Sequence, residues 1–415
     1  MMLKIKQPKQ LVLTAIDDDN NIWYEQLIPF LLTLQQTNYQ GDIGIIEYGL
    51  SDSKIEVLKQ NGYKVFPATN QYPLILIDRQ ISAANIAKKY KYDQIALLDC
   101  DIWFPQKYFS YFEVITNPTD LFCTYDIWKC SFLFDCLGKS NKEQISEQIN
   151  QVAEQNGYVW QAGAIVATQQ AWSSYASHVT SLINNNPQSF LMVYGVDSTV
   201  LNLYAAQTQQ ISYLPLRYNC PPAWGIRQNN DGYGIYFSIE NEPVEGLHVT
   251  RAHRKGGEYS WHQLFPDQYQ QLGKKLRIKP YTEYRIINES ITHICRENIQ
   301  PTSELLLKEA FTDGVMNVDK LLNNDLQITV SGCSRLVFQN QSEKEVKLCF
   351  HCTPPLDFSP CSRIYFKTEG NLNSFPTNRN LFITFQAGQI IEFITDELDV
   401  ESKRISWVFH NTKLY

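Results

Sequence analysis

The chain has 415 residues, 44% apolar and 19% charged, a composition that excludes a disordered polymer. Its net charge of -7 argues against wholesale wrapping of nucleic acid or of an anionic membrane. At about 150 residues per domain the length predicts two or three domains, and ten cysteines are too dilute for a disulfide scaffold. Aromatic residues reach 13%, with 24 Tyr and 8 Trp, which suits both a well-filled core and sugar-stacking surfaces.

The first apolar stretch, residues 11–16, is too short for a signal-peptide core. The longest apolar run, 27–34, is too short to span a bilayer. The expectation is a cytoplasmic protein with reduced thiols and no transmembrane segment. Residues 11–16 read as a buried strand ending in acids. Asn20 or Asn21 can cap a helix to about residue 36, with Trp23, Leu27, Phe30, Leu31 and Leu34 on its inner face. A strand at 43–48, a helix at 51–60 closed by Asn61-Gly62, a strand at 63–66, a helix at 79–90 and a strand at 94–98 follow. This alternation predicts an α/β fold with a mostly parallel sheet. Ligands on such sheets sit beyond the carboxyl ends of the strands.

Further on, the sequence predicts a polar helix in 140–156, an apolar segment at 159–167 and a helix at 169–183. Residues 215–240 are rich in Pro, Gly, Asn and Tyr and read as a long ordered loop near a site. A strand at 244–250 and a basic linker at 274–284 come next. Beyond about residue 290 the texture changes to short runs at 326–330, 335–339, 345–352, 364–367, 381–385, 390–394 and 405–410. Separated by turn residues, they predict an antiparallel β-sandwich. The predicted division is 1–275 and 285–415.

Chemistry concentrates at Asp99-Cys100-Asp101, directly after the apolar strand. Strand alternation predicts both carboxylates on one side, at the crevice end of the sheet. Two hard oxygen ligands there suit Mg²⁺ or Mn²⁺. A pair of acids in a turn is the plainer alternative.

The strand end Leu98-Asp99-Cys100-Asp101 resembles the Asp-x-Asp motif of GT-A glycosyltransferases, above all the family 8 group of glycogenin-like and lipopolysaccharide glycosyltransferases. Other segments agree in order. Ala15-Ile16-Asp17-Asp18 followed by Tyr24 resembles the nucleotide-binding first strand. Gln161-Ala162-Gly163 resembles Asn-x-Gly, with Gln in place of Asn. Asp197-Ser198-Thr199-Val200-Leu201-Asn202 resembles Asp-Gln-Asp-x-Leu-Asn. The run from His253 to Trp261 resembles His-x-x-Gly-x-x-Lys-Pro-Trp, with Tyr259 in place of Lys and Ser260 in place of Pro.

The resemblance implies a GT-A nucleotide-diphospho-sugar transferase fold, a Mn²⁺ or Mg²⁺ ion and a UDP-sugar donor. It implies a hexose transferred, with retention, to a glycan, lipid-linked or protein acceptor. Asp101 is then a direct metal ligand, and Asp99 holds the ribose, the metal or both. His253 is the third ligand by motif, with His248 its competitor. Thr14, Ala15, Asp17, Arg79, Asp99, Lys255 and Gly256 are implied for the nucleotide, and Arg254 or Arg251 can add to a diphosphate clamp. Asp197 and Gln161 face the transferred sugar. The acids at 17–19 equally suit the start of a helix. Trp224, Tyr233 and Trp261 are candidate acceptor platforms. The Tyr at 259 keeps open a non-catalytic carbohydrate- or nucleotide-sugar-binding protein, and a nucleotidyltransferase-like enzyme is the other alternative.

Competing motifs are weaker. Cys349-Phe350-His351-Cys352, near Cys333 and Cys361, offers one Cys-x-x-Cys whose sulfurs point to opposite faces of an extended strand, a poor zinc site. Haloacid-dehalogenase-type phosphatases also use Asp-x-Asp, but after a first strand and with Thr or Val where this chain has Trp103. The sequence has no phosphate-binding glycine loop and no nucleophile elbow.

Overall fold

In the computed structural model the described residues are 7–126, 132–220, 226–230, 234–239, 242–249, 311–312, 315–317, 326–331, 335–341, 343–353, 363–368, 371–376, 380–394 and 404–411. Strand β1 (Gln10–Asp17) leads to the short helix α1 (Asn20–Ile22), a π turn (Trp23–Leu27) and α2 (Ile28–Gln36). Next come β2 (Asp42–Tyr48), α3 (Asp52–Gln60), β3 (Lys64–Pro67), α4 (Ile75–Tyr90), β4 (Gln94–Leu98) and β5 (Ile102–Trp103). The chain continues through β6 (Leu121–Asp126), α5 (Phe132–Asp135), α6 (Lys142–Asn156), β7 (Val159–Thr168), α7 (Gln169–Asn185), α8 (Val196–Thr208) and β8 (Ile211–Tyr213). Strands β9 (Ile226–Asn230), β10 (Gly234–Ile239), β11 (Glu242–Pro243) and β12 (Leu247–His248) close this part.

The central sheet has seven strands in the order β3-β2-β1-β4-β7-β6-β8. β1 runs parallel to both β2 and β4, while β7 is antiparallel to β4 and β6. The protein is thus a mixed α/β fold with a mostly parallel central sheet. Strand order reverses between β1 and β4, the crevice where open sheets bind ligands. β4 reads as a continuous apolar run because both of its faces are covered: Ile95, Ala96, Leu97 and Leu98 are all buried.

Helices are fixed to this sheet by specific bonds as well as by apolar burial. α7 buries Trp172, Tyr175, Val179 and Ile183 along one stripe and starts at Thr168, whose hydroxyl accepts from the Ala171 amide at 3.2 Å. The Trp172 indole donates to the Ile95 carbonyl at 3.2 Å, and the Tyr175 hydroxyl donates to Gln80 at 2.7 Å. These bonds tie α7 to β4 and α4. α8 is clamped to β7 by Asn202, whose side chain accepts from the Trp160 amide and donates to the Trp160 carbonyl, both at 2.9 Å.

Several expectations shift. α4 starts at Ile75, four residues before Arg79. Its buried polar run Asp78-Arg79-Gln80 breaks the apolar pattern that marks a helix start. Residues 215–240 contain a 3-10 turn (Leu216–Tyr218) and the antiparallel pair β9 and β10, so they are not one loop. Of the strand expected at 244–250, only Leu247–His248 pairs as a strand, antiparallel to β5. Trp224, Tyr233 and the linker at 274–284 lie outside the described residues.

The C-terminal region is all β among the described residues. Strands at 311–312, 315–317, 335–339, 390–394, 363–368 and 371–376 form one sheet, and those at 326–331, 404–411, 346–353 and 380–385 another. Each predicted strand is present to within one residue. No helix among the described residues is long and apolar enough to cross a membrane.

Candidate functional site

The site forms where β4 ends. Strand pairing stops at Leu98, and residues 99–101 turn, closed by the Ile102 amide donating to the Asp99 carbonyl at 3.1 Å. This turn, not strand alternation, brings the carboxylates of Asp99 and Asp101 together. Two backbone bonds hold its ends. The Asp99 amide donates to the Gly163 carbonyl on β7 at 2.8 Å, and the Val249 amide donates to the Asp101 carbonyl at 2.9 Å.

The Val249 bond belongs to the β5–β12 pairing, which sets His248 opposite Ile102. His248 Nε2 consequently lies 3.2 Å from Asp101 Oδ1 and 3.6 Å from Asp99 Oδ2. One ligand atom from each of Asp99, Asp101 and His248 falls within 4.8 Å of the others. Two carboxylate oxygens and an imidazole nitrogen converging on one point fit a divalent cation such as Mn²⁺ or Mg²⁺. Gly163 makes room for the group. A Cβ there would lie 3.0 Å from Asp99 Oδ2 and 3.0 Å from His248 Cε1.

Arg79, nearly buried on α4, joins this group to α8. Its guanidinium pairs with Asp99 Oδ1, reaches Asp197 Oδ2 at 3.5 Å and donates to the Ala162 carbonyl at 3.5 Å. Burial works against the Arg79 cation, but the charges of Asp99 and Asp197 outweigh it and raise its pKa. Burial pushes the Asp197 carboxyl up to about 6. Arg79 opposes that rise and Asp99 adds to it. Asp197 sits in the first turn of α8, so the Asn202 clamp fixes its carboxylate relative to β7.

Gln161, on β7 two residues before Gly163, accepts through Oε1 from the Thr124 hydroxyl at 3.2 Å and from the Asn219 side-chain amide. Thr14 is fully buried within β1, next to Ala15, and Asp17 ends that strand with its carboxylate accepting from the Asp19 amide at 3.2 Å. Asp18 pairs with Lys54 at 2.9 Å and accepts from the Ser51 amide, an arrangement that fixes the start of α3. The structure therefore links Asp197, Arg79, Asp99, Asp101 and His248 through charged contacts and sets Gln161 against Thr124 and Asn219. His253, Lys255 and Gly256 lie outside the described residues, as do Arg251, Arg254, Tyr259, Ser260, Trp261, Cys333 and Cys361. Sequence reasoning missed Thr124 and Asn219, which carry no motif. The Asn202 it singled out by motif serves the α8 clamp.

No protein-family model and no curated protein matches the chain. Solved structures do. The galactosyltransferase LgtC, in complex with donor and acceptor sugar analogues, aligns at 13% identity and a TM-score of 0.40, over 64% of this chain and 95% of its own. The bifunctional glycosyltransferase WbbM in its apo form aligns at 12% identity and 0.38, over 53% of this chain and 41% of its own. The glycosyltransferase GlyE of Streptococcus pneumoniae TIGR4 aligns at 16% identity and 0.34, over 51% and 47%. The chain spans less than half the length of WbbM and of GlyE. All three are glycosyltransferases, the class that the sequence motifs resemble. The functional reading rests on this chain's own residues.

Proposed function

We propose that the protein is a GT-A-type glycosyltransferase that moves a hexose from a UDP-sugar to a carbohydrate-bearing, lipid-linked or protein acceptor, with retention. The observation that carries this reading is the meeting of Asp99, Asp101 and His248 beyond the carboxyl end of β4, beside the strand-order reversal. In this reading Asp99, Asp101 and His248 hold Mn²⁺ or Mg²⁺. A cation bound there supplies charge neutralisation for the diphosphate leaving group.

The remaining roles belong to side chains. Arg79 pairs with Asp99 and holds it aimed while filling the buried space between the carboxylates of Asp99 and Asp197. Asp197 and Gln161 face the transferred hexose. Asp197 offers a carboxylate oxygen and Gln161 an amide, both polar groups that match sugar hydroxyls. Asp17, at the end of β1, and the backbone around Ala15 receive the nucleoside. Residues 1–275 make the catalytic unit, and 285–415 an accessory β unit.

The test is a donor-hydrolysis screen. The protein is incubated with UDP-glucose, UDP-galactose and other nucleotide sugars in the presence of Mn²⁺, and release of the nucleoside diphosphate is measured. The expected result is turnover with one or a few donors that stops on chelation. Absence of both turnover and ligand-induced thermal shift with every donor overturns the reading. Tight donor binding without release instead selects the non-catalytic alternative, and release of pyrophosphate selects the nucleotidyltransferase one.

A further inference from the structure

His248 belongs to a two-residue strand, and so short an element cannot hold its own place. It is held from two sides. On one side β12 pairs with β5, which is continuous with Asp101. On the other it runs beside residues 217–220. The Arg217 carbonyl accepts from the Glu245 amide at 2.8 Å and from the Gly246 amide at 2.9 Å. The Cys220 amide donates to the Gly246 carbonyl at 2.8 Å, and the His248 amide donates to the Cys220 carbonyl at 2.8 Å. The approach is close enough that a Cβ on Gly246 would collide with the Tyr218 carbonyl oxygen. Where residues 217–220 go, His248 follows.

That segment is joined to the central sheet through Asn219. The side chain is fully buried, and its amide nitrogen donates to Thr124 Oγ1 on β6 at 2.9 Å and to Gln161 Oε1 on β7. Its Oδ1 is buried with no hydrogen-bond partner among the described residues. Both donors of this amide are therefore committed to the sheet. A buried oxygen left without a partner carries a desolvation penalty, and a functional constraint is one reason such a group is kept. The amide nitrogen also lies 3.4 Å from the Cβ position of Gly163, the same position that Asp99 and His248 crowd.

We infer that Asn219 is a positioning residue that sets His248 against Asp99 and Asp101, and in the same bond fixes the orientation of Gln161. The inference rests on the proposed function only in taking Asp99, Asp101 and His248 as a divalent-cation site. Asn219 touches none of the three through its hydrogen bonds. It acts through the backbone of Cys220 on one side and through Gln161 on the other. One substitution is expected to weaken metal binding and to disturb the hexose-facing side of the site together, which loss of a ligand alone would not do.

The experiment measures Mn²⁺ binding to the full chain by isothermal titration calorimetry, alongside thermal stability without metal. Asn219→Ala is expected to weaken Mn²⁺ by about tenfold to a hundredfold, the range for groups that orient metal ligands. The control is Asn340→Ala. Asn340 is also a fully buried asparagine, donating to the carbonyls of Lys344, Phe385 and Gln386 in the C-terminal β region. Its loss lowers stability without access to His248, so Mn²⁺ affinity is expected to stay unchanged. Should Asn219→Ala fail to fold, Thr124→Val removes one of the two acceptors that anchor Asn219 and is expected to weaken Mn²⁺ in the same direction. Unchanged affinity in a folded Asn219→Ala or Thr124→Val, or an equal loss in Asn340→Ala, overturns the inference alone. Failure of the unaltered protein to bind Mn²⁺ overturns the metal-site reading as well.

Discussion

At the scale of single residues, Gly163 and Asp197 show how little space and charge the site has to spare. A methyl group on Gly163 would meet Asp99 Oδ2 and His248 Cε1 at 3.0 Å each, inside the 3.5 to 4.0 Å at which nonbonded heavy atoms attract best. Gly163→Ala is expected to push these two groups apart and weaken Mn²⁺ by about tenfold, the scale on which displaced ligands act. Titration of the variant checks this, and wild-type affinity would refute the role given to the glycine. Asp197 makes a different demand. Burial raises its carboxyl to about 6 from an ordinary 3.8, so the folded state holds a proton that the unfolded state has lost. Stability from this group is therefore full below about pH 4 and disappears as pH rises through about 6. Keeping it ionised above that range costs about 3 kcal/mol. Asp197→Asn, which keeps the shape and drops the charge, is expected to raise thermal stability at pH 7.5 and to raise it much less at pH 5. Transfer activity is expected to fall at both. An equal stability change at the two pH values would contradict the buried, costly carboxylate.

At the scale of elements, the sequence was most readable where one rule dominated. The alternation of apolar strands and amphipathic helices through residue 98 placed β1 to β4 and the crevice at their carboxyl ends, because β1, β4 and the middle of β2 are buried on both faces and the edge strand β3 still buries Phe66. The Asp-x-Asp segment was visible for the same reason, since it interrupts the most apolar strand of the sheet. Elements governed by long-range polar bonds stayed hidden. Nothing local marks Asn219, whose partners Thr124 and Gln161 are distant in sequence. His248 was legible as a candidate ligand on the strand expected at 244–250, but its pairing opposite Ile102, distant in sequence, was not. Asn202 was visible only as part of a motif, and its physical role is the two-way bond to the Trp160 backbone. Asn202→Ala leaves that amide and carbonyl buried and unpaired, at a cost of about 2 kcal/mol. Because α8 carries Asp197, the variant is expected to lose transfer activity beyond what its folded fraction explains. Denaturant unfolding combined with initial rates on the folded protein checks this, and a rate that tracks the folded fraction alone would refute it.

At the scale of the whole molecule, part of the net charge of -7 has a specific location. Asp99 and Asp101 face each other across His248, and Asp197 lies just beyond Arg79. Arg79 is the cation paired with Asp99 and Asp197 among the described residues, and its guanidinium serves both carboxylates. A divalent cation at this point relieves the repulsion between Asp99 and Asp101, so it binds the folded chain in preference to the unfolded one. By mass action, free Mn²⁺ at one hundred times its dissociation constant adds about 2.7 kcal/mol to folding. For a domain of about 150–250 residues that is a rise in melting temperature of about 5 to 10 °C. Thermal unfolding with Mn²⁺ and with a chelator measures the difference directly. Asp101→Asn keeps the shape of the turn, removes one charge and relieves part of the repulsion. It is therefore expected to melt higher than the unaltered chain in chelator and to lose most of the Mn²⁺-dependent rise. The two shifts have opposite signs, which separates a metal site from an acidic turn whose charges merely repel. A variant that keeps the full Mn²⁺ response would place the cation elsewhere and remove Asp101 from the site.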